Sequence, residues 1–106
     1  MPKYLIKACY TAEGVKGLRK DKASGRKAAV SATIEGLGGK LEAMYYALGD
    51  DDVYAIVDMP DAVSIAAFSL AASSSGAART TTTALLTIEE ADKALGTTVS
   101  FRAPGT

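Results

Sequence analysis

The sequence predicts an α+β fold in which two helices cover one face of a four-stranded antiparallel sheet. The first observation is the segment 53–58, Val-Tyr-Ala-Ile-Val-Asp, which is largely apolar on both alternating faces, as a central strand covered on both sides would be. The second is the order of predicted elements: strand, helix, strand, strand, helix, strand. The third is the length of 106 residues, which suits one domain that buries a core without metals or disulfides.

The first half of the chain predicts a strand, a broken helix and a second strand. Alternating side chains over Lys3–Tyr10 indicate the first strand, and Thr11 is placed to cap the helix that follows. The charged stretch 19–25 predicts a break, with Ser24 capping a second helical segment that ends at Gly38-Gly39. The buried stripe of that segment is expected at Val30, Ile34 and Leu37. Residues 40–48 are expected to form the second strand.

In the second half, a turn at 49–52 joins the central strand as a hairpin, and Asp61 starts the next helix. That helix carries two neighbouring apolar stripes, Val63, Ala66, Ala67 and Leu70 in one and Ile65, Phe68 and Ala72 in the other. Residues 80–86 predict the last strand, and Thr87-Ile88-Glu89-Glu90 has the spacing of a capping box.

This order is that of a ferredoxin-like βαββαβ protomer, in which both helices lie on the same side of the sheet. The other side is then expected to be polar in a monomer, but several of its residues are apolar or aromatic. We therefore expect the sheet of a second copy to cover that side, in a dimer or in a larger assembly. Residues 1–96 form the domain, and the tail 97–106 is expected to add an edge strand or to contact a partner.

The composition argues against several classes of function. Twelve basic and twelve acidic residues cancel, so the charge gives no support for binding nucleic acid or an anionic membrane. The chain has no histidine, the commonest general base and transition-metal ligand, and we predict no metal and no cofactor. Its single cysteine, Cys9, excludes an intrachain disulfide and is compatible with the reducing cytoplasm, where we place the protein.

Several motifs, in the same order, are similar to those of the GYD-domain family over nearly the whole chain. They are Met-Pro-Lys-Tyr-Leu-Ile-Lys (1–7), Tyr-Thr-Ala-Glu-Gly (10–14), Glu-Gly-Leu-Gly-Gly-Lys-Leu-Glu-Ala (35–43), Asp-Val-Tyr-Ala-Ile-Val-Asp-Met-Pro-Asp (52–61) and Ser-Gly-Ala-Ala-Arg-Thr (75–80). The family signature corresponds to Gly49, Asp52 and Tyr54, with Asp51 where the signature tyrosine is expected. The resemblance implies a ferredoxin-like fold related to the dimeric α/β barrels, and it implies no established activity.

Polar residues in the predicted strands and turns give the candidate sites. Asp50, Asp51 and Asp52 offer oxygen ligands to a divalent cation, but aspartate is also favoured in such a turn, which is the interpretation we prefer. Beside Lys7 or Arg79, Asp58 can form a partly buried ion pair of the kind found at functional sites, but a plain structural pair or a strand end that reaches solvent is the interpretation we prefer. Arg79 either binds an anionic ligand or crosses a subunit boundary. Cys9 is expected to be a small buried hydrophobe.

Three classes of function follow, in order of preference. The first is a self-associating structural or binding module whose partner is another copy of the chain. The second is a protein that binds a small molecule in the cleft between sheet and helices, with polar contacts from Tyr4, Lys7, Tyr46, Asp58 and Arg79. The third is a cofactor-independent enzyme, which rests on analogy of fold alone.

Overall fold

A computed structural model describes all residues, 1–106. Its elements follow the chain as β1 (Lys3–Tyr10), α1 (Ala12–Gly36), β2 (Lys40–Tyr46), β3 (Val53–Asp58), α2 (Ala62–Ser74), β4 (Ala78–Leu85) and α3 (Ile88–Leu95). The strands pair antiparallel in the order β2-β3-β1-β4, which is the ferredoxin-like arrangement predicted from the sequence. β3 pairs on both edges, which confirms its central place.

The capping residues predicted from the sequence begin all three helices. The Thr11 hydroxyl accepts from the Gly14 N–H, the Asp61 carboxylate accepts from the Ser64 N–H, and Thr87 forms a capping box with Glu90. Each cap satisfies an N–H group that has no partner inside its helix, so the helix start is fixed locally. Gly38, with φ of 85°, ends α1 in a Schellman motif that satisfies its last carbonyls.

α1 is interrupted by a kink at Lys22, whose φ of 64° and ψ of 167° are not helical. The sequence predicted a break within residues 19–25, and the break is there. The predicted cap at Ser24 is wrong, because the chain re-enters the helix directly after Lys22. Such dihedral angles are almost confined to glycine, so a lysine there stores roughly 1–3 kcal/mol of strain.

The core lies between the sheet and the two long helices. Its buried residues are Tyr4, Ile6, Ile34, Ala55, Val57, Met59 and Ile65, with Val30, Leu37, Leu41, Met44 and Phe68 packed against them. The stripe predicted at Val30, Ile34 and Leu37 is therefore the buried face of α1. Of the two stripes on α2, the one through Ile65, Phe68 and Ala72 faces the sheet, while Val63 and Leu70 are exposed.

Three boundaries differ from the prediction. β2 ends at Tyr46 instead of residue 48, and β4 begins at Ala78 instead of residue 80 and ends at Leu85 instead of residue 86. β2 also contains a β-bulge between Leu41 and Ala43. Residues 97–106 form no extra strand. No helix has both the length and the apolar composition needed to cross a membrane.

Candidate functional site

The sheet face that the helices leave uncovered is the first candidate site, and we call it the open face. Strand register places its side chains in rows that run across the sheet. The central row is Ala43, Ile56, Leu5 and Thr83, and the next row is Tyr45, Tyr54, Lys7 and Thr81. Leu5 and Ile56 are half-buried by their neighbours, whereas Tyr45 and Tyr54 are 72% and 38% exposed. The middle of this uncovered face is therefore apolar and aromatic.

One end of the open face carries an ion-pair network. Lys3 Nζ lies 2.7 Å from an oxygen of Asp58 and 3.0 Å from an oxygen of Glu42. These hydrogen bonds, first from Asp58 and then from Glu42, raise the pKa of Lys3. Neither of the partners considered from the sequence, Lys7 or Arg79, pairs with Asp58, because the register sets Asp58 opposite Lys3 and Lys7 opposite Tyr54.

The opposite end of the open face carries Cys9 next to Arg79 on β4. The Cys9 thiol donates to the Asp50 carbonyl oxygen at 3.1 Å and to a carboxylate oxygen of Asp51 at 3.3 Å. The hydrogen bond to Asp51 and partial burial raise the pKa of Cys9, so the reactive thiolate is disfavoured. Cys9 is thus half-buried and hydrogen-bonded, not the buried hydrophobe that the sequence suggested.

A cavity on the other side of the sheet is the second candidate site. It has a volume of about 80 Å³, and ten of its twelve lining residues are hydrophobic. Its floor is formed by the sheet residues Ile6, Ala8, Met44, Val53 and Ala55, and its walls by Val30 of α1 and by Phe68 and Ala72 of α2. The cavity is therefore an apolar gap between the two helices and the sheet.

Tyr10 and Arg26 line this cavity and carry polar groups, and Tyr46 contacts Tyr10. The rings of Tyr10 and Tyr46 are stacked, with centroids 6.5 Å apart, and their hydroxyl oxygens are 3.2 Å apart. Burial, followed by the hydrogen bond to Tyr10, raises the pKa of Tyr46, so this phenol stays protonated. Arg26 lies beside them, and its positive charge acts on Tyr46 in the opposite direction.

The sheet separates the residues that the sequence proposed as one binding site. Tyr4 and Tyr46 lie on the helix side, where Tyr4 is buried in the core and Tyr46 contacts the hydroxyl of Tyr10. Lys7, Asp58 and Arg79 alternate onto the open face. The five side chains therefore do not line one cleft, and none of them lines the cavity, although Tyr46 is hydrogen-bonded to the lining residue Tyr10.

Sequence reasoning did not find Arg26 or Met44 as site residues. Val30 and Phe68 were expected to be buried, and Tyr10 was one of five tyrosines seen in strands, so those residues carried a signal. Arg26 lay in a charged stretch with no distinguishing pattern. Its position depends on the kink at Lys22, which a periodicity argument does not supply.

The comparison with known families agrees with this architecture. The GYD domain matches residues 4–95, which is most of the chain. The chain belongs to the GYD-domain family. No curated protein and no solved structure matches the chain.

In this GYD domain, Asp52, which the sequence resemblance assigned to the family signature, links the central hairpin to β1. Its carboxylate accepts from the Tyr10 N–H at 2.8 Å, and its own N–H donates to the Ala8 carbonyl at 2.8 Å. Its carbonyl accepts from the Ala47 N–H, which closes the hairpin. Asp52 thus fixes the end of β1 from which the Tyr10 ring reaches the cavity mouth.

The other positions of the GYD domain that the resemblance assigned to the signature have different surroundings. Gly49 is exposed on the turn, and Tyr54 lies on the open face. Asp51, at the position of the expected tyrosine, contacts the Cys9 thiol. No group of three or more acidic or cysteine side chains is arranged to hold a metal ion, and the Asp50–Asp52 turn divides its contacts between Cys9 and Tyr10.

Residues 86–106 of the GYD domain, which we call the C-terminal arm, expose many apolar side chains. Leu86, Ile88, Leu95, Val99 and Phe101 are all between 67% and 84% exposed. Ile88, Ala91 and Leu95 share one face of α3, because they are spaced by three and four residues. The molecule is 56 Å long, with a radius of gyration of 16.8 Å against roughly 13 Å for a compact chain of this length.

Proposed function

We propose that this GYD domain works as a homo-oligomeric binding module in which two copies pack through their open faces. One observation carries the proposal: a continuous row of Ala43, Ile56 and Leu5, bordered by Tyr45 and Tyr54, lies on a sheet face that no element of the chain covers. Tyrosines around an apolar centre are typical of protein interfaces. A second sheet laid on this row removes the apolar side chains from water.

The rest of the chain supports a second copy as the partner. Only 9 of the 106 residues are buried, which leaves a small core for a chain of this length. The open face carries both charge signs, with Glu42 and Asp58 around Lys3 at one end and Lys7 and Arg79 towards the other. A face that contains both signs is able to complement its own copy, and the zero net charge of the chain tolerates self-association.

The C-terminal arm provides a second surface for contact between copies. Its amphipathic helix α3 presents Ile88, Ala91 and Leu95 on one face, and the rest of the same chain leaves Ile88 and Leu95 exposed. We assign this face to a contact with another copy, distinct from the open-face pair. Two different self-contacts allow assembly beyond a dimer. The lone Cys9, held as a hydrogen-bonded thiol, fits the reducing cytoplasm in which we place this assembly.

The test compares the number of subunits in two variants, one with a new charge on the open face and one with a new charge on the outer side of α2. Ile56→Lys puts a cation in the middle of the open face and is expected to abolish the open-face pair. Leu70→Lys makes the same kind of change on the outer side of α2, where Leu70 is 70% exposed, and is the matched control. Sedimentation velocity measures the oligomer, and circular dichroism checks that each variant is folded.

The arm is tested separately with the double variant Ile88→Ser/Leu95→Ser. We expect it to retain the open-face dimer and to lose any larger assembly. Equal oligomer size for Ile56→Lys and the wild type, with both folded, would refute the open-face interface. Dissociation by Leu70→Lys instead would place the interface on α2.

A further inference from the structure

We infer that the apolar cavity between sheet and helices is a binding site for a short-chain monocarboxylate, with the alkyl group inside and the carboxylate at Arg26 and the Tyr10–Tyr46 pair. This site lies on the opposite side of the sheet from the open face. It adds a ligand to the proposed module and does not depend on how the copies associate.

The cavity sets the size and the apolar character of the ligand. Protein interiors leave few voids larger than a water molecule, yet this gap of about 80 Å³ is not filled by Val30, Phe68 or Ala72, which border it. Liquid water occupies about 30 Å³ per molecule, so the gap holds about three heavy atoms. The lining offers a tail almost no polar partner, because only Arg26 and Thr80 of the twelve lining residues are not hydrophobic. The ligand tail is therefore a branched or linear alkyl group of three or so carbons.

The tyrosine pair supplies one hydrogen-bond donor to the head group. Two hydroxyls 3.2 Å apart share one proton between them, since one donates and the other accepts. The second hydroxyl proton is left to donate to an acceptor outside the pair. Tyr10 lines the cavity and Tyr46 is bonded to it, so this proton lies close to where the head group of a ligand with a buried tail would sit.

Arg26 supplies the positive charge that selects an anion. Its guanidinium lies 3.8 Å from Asp21, which is too long for a hydrogen bond, so its donors remain available. A planar guanidinium binds a carboxylate through two parallel hydrogen bonds. Because Asp21 already offsets part of the charge, the site suits a single negative charge and not a dianion such as phosphate.

The backbone strain at Lys22 is a separate observation that points to the same place. The kink redirects the part of α1 that carries Arg26 and Val30, both of which border the cavity. Residues held in such dihedral angles are concentrated at functional sites. The strained turn thus orients the helical segment that forms one wall of the site.

The direct test is calorimetric titration of the full chain with isobutyrate. We expect isobutyrate to bind at least tenfold more tightly than acetate, which has the head group without the tail, and than isobutyramide, which has the tail without the charge. Inorganic phosphate is the third comparison and is expected to bind more weakly than isobutyrate. Isobutyrate binding no tighter than acetate, or no binding at 10 mM, would overturn the inference.

Variants then test the two halves of the site. Arg26→Gln is expected to weaken isobutyrate binding at least tenfold, whereas Arg102→Gln in the exposed tail makes the same charge change and leaves it unaltered. Ala72→Leu fills the cavity and is expected to lower the affinity for isobutyrate to the affinity for acetate. Equal affinity of Arg26→Gln and Arg102→Gln for isobutyrate would refute the carboxylate subsite. The oligomer size of Ile56→Lys tests the proposed module alone, so either idea can fail without the other.

Discussion

Replacing Asp52 with alanine tests whether this residue has a structural role in the GYD domain. Its carboxylate accepts one hydrogen bond, 2.8 Å long, from the Tyr10 N–H, while its main-chain bonds to Ala8 and Ala47 do not depend on the side chain. A hydrogen bond to a charged group is worth about 1.5–3 kcal/mol. Because Asp52 is half-exposed, we take the lower end, about 1.5 kcal/mol. For a chain of this size, that lowers Tm by roughly 6–12 °C.

Urea unfolding at one fixed protein concentration measures this loss, because an oligomer's stability depends on concentration. Asp52→Asn keeps an amide oxygen that accepts the same hydrogen bond, so its loss of stability is expected to be less than half that of Asp52→Ala. Asp51→Ala removes only the contact to the Cys9 thiol and should stay within about 0.5 kcal/mol of the wild type. Full stability of Asp52→Ala, or an equal loss in Asp51→Ala, would refute the structural role.

Three further predictions concern stability. Gly14→Ala should lower the free energy of unfolding by about 2–3 kcal/mol, because a Cβ there overlaps the backbone carbonyl of the loop before β4. Gly17→Ala has open space around it and should raise the free energy of unfolding by up to about 1 kcal/mol, as measured by urea unfolding. Lys22→Gly should raise the free energy of unfolding by about 1 kcal/mol, because glycine adopts the positive φ at this position without strain. A Tm no higher than that of the wild type would contradict the claim that Lys22 is strained. The hydrogen bond from the Ser64 N–H lowers the pKa of Asp61 below its ordinary 3.8, so the stability from this cap is complete above that pH and is lost as the pH falls through the lowered value. Asp61→Ala should therefore be less stable than the wild type at neutral pH, and the difference should shrink on acidification; a constant difference across pH 2–6 would contradict the assignment.

Local chemistry made the strands and helix starts predictable from the sequence. Thr11, Asp61 and Thr87 each satisfy a nearby N–H group, which requires no knowledge of the rest of the fold. The apolar segment 53–58 likewise predicted its own central place, because a strand without a polar face needs cover on both sides.

Features that depend on contacts between distant parts of the chain were not predictable in the same way. The alanine-rich α2 has apolar residues on two stripes, so only packing against the sheet decides that Phe68 is inside and Leu70 outside. Lys3 and Lys7 lie on the same face of β1, and the register alone pairs Lys3 with Asp58. Arg26 reaches the cavity because of the kink at Lys22, where the sequence gives no glycine to mark a positive φ.

Native mass spectrometry of the freshly purified wild-type chain tests directly whether the protein associates with a second copy of itself. We predict a mass of twice the 10.9 kDa chain or a higher even multiple, and a return to the single-chain mass when Ile56→Lys is combined with Ile88→Ser/Leu95→Ser. A wild-type spectrum containing only the single chain at micromolar concentration would contradict the claim that a second copy covers the open face.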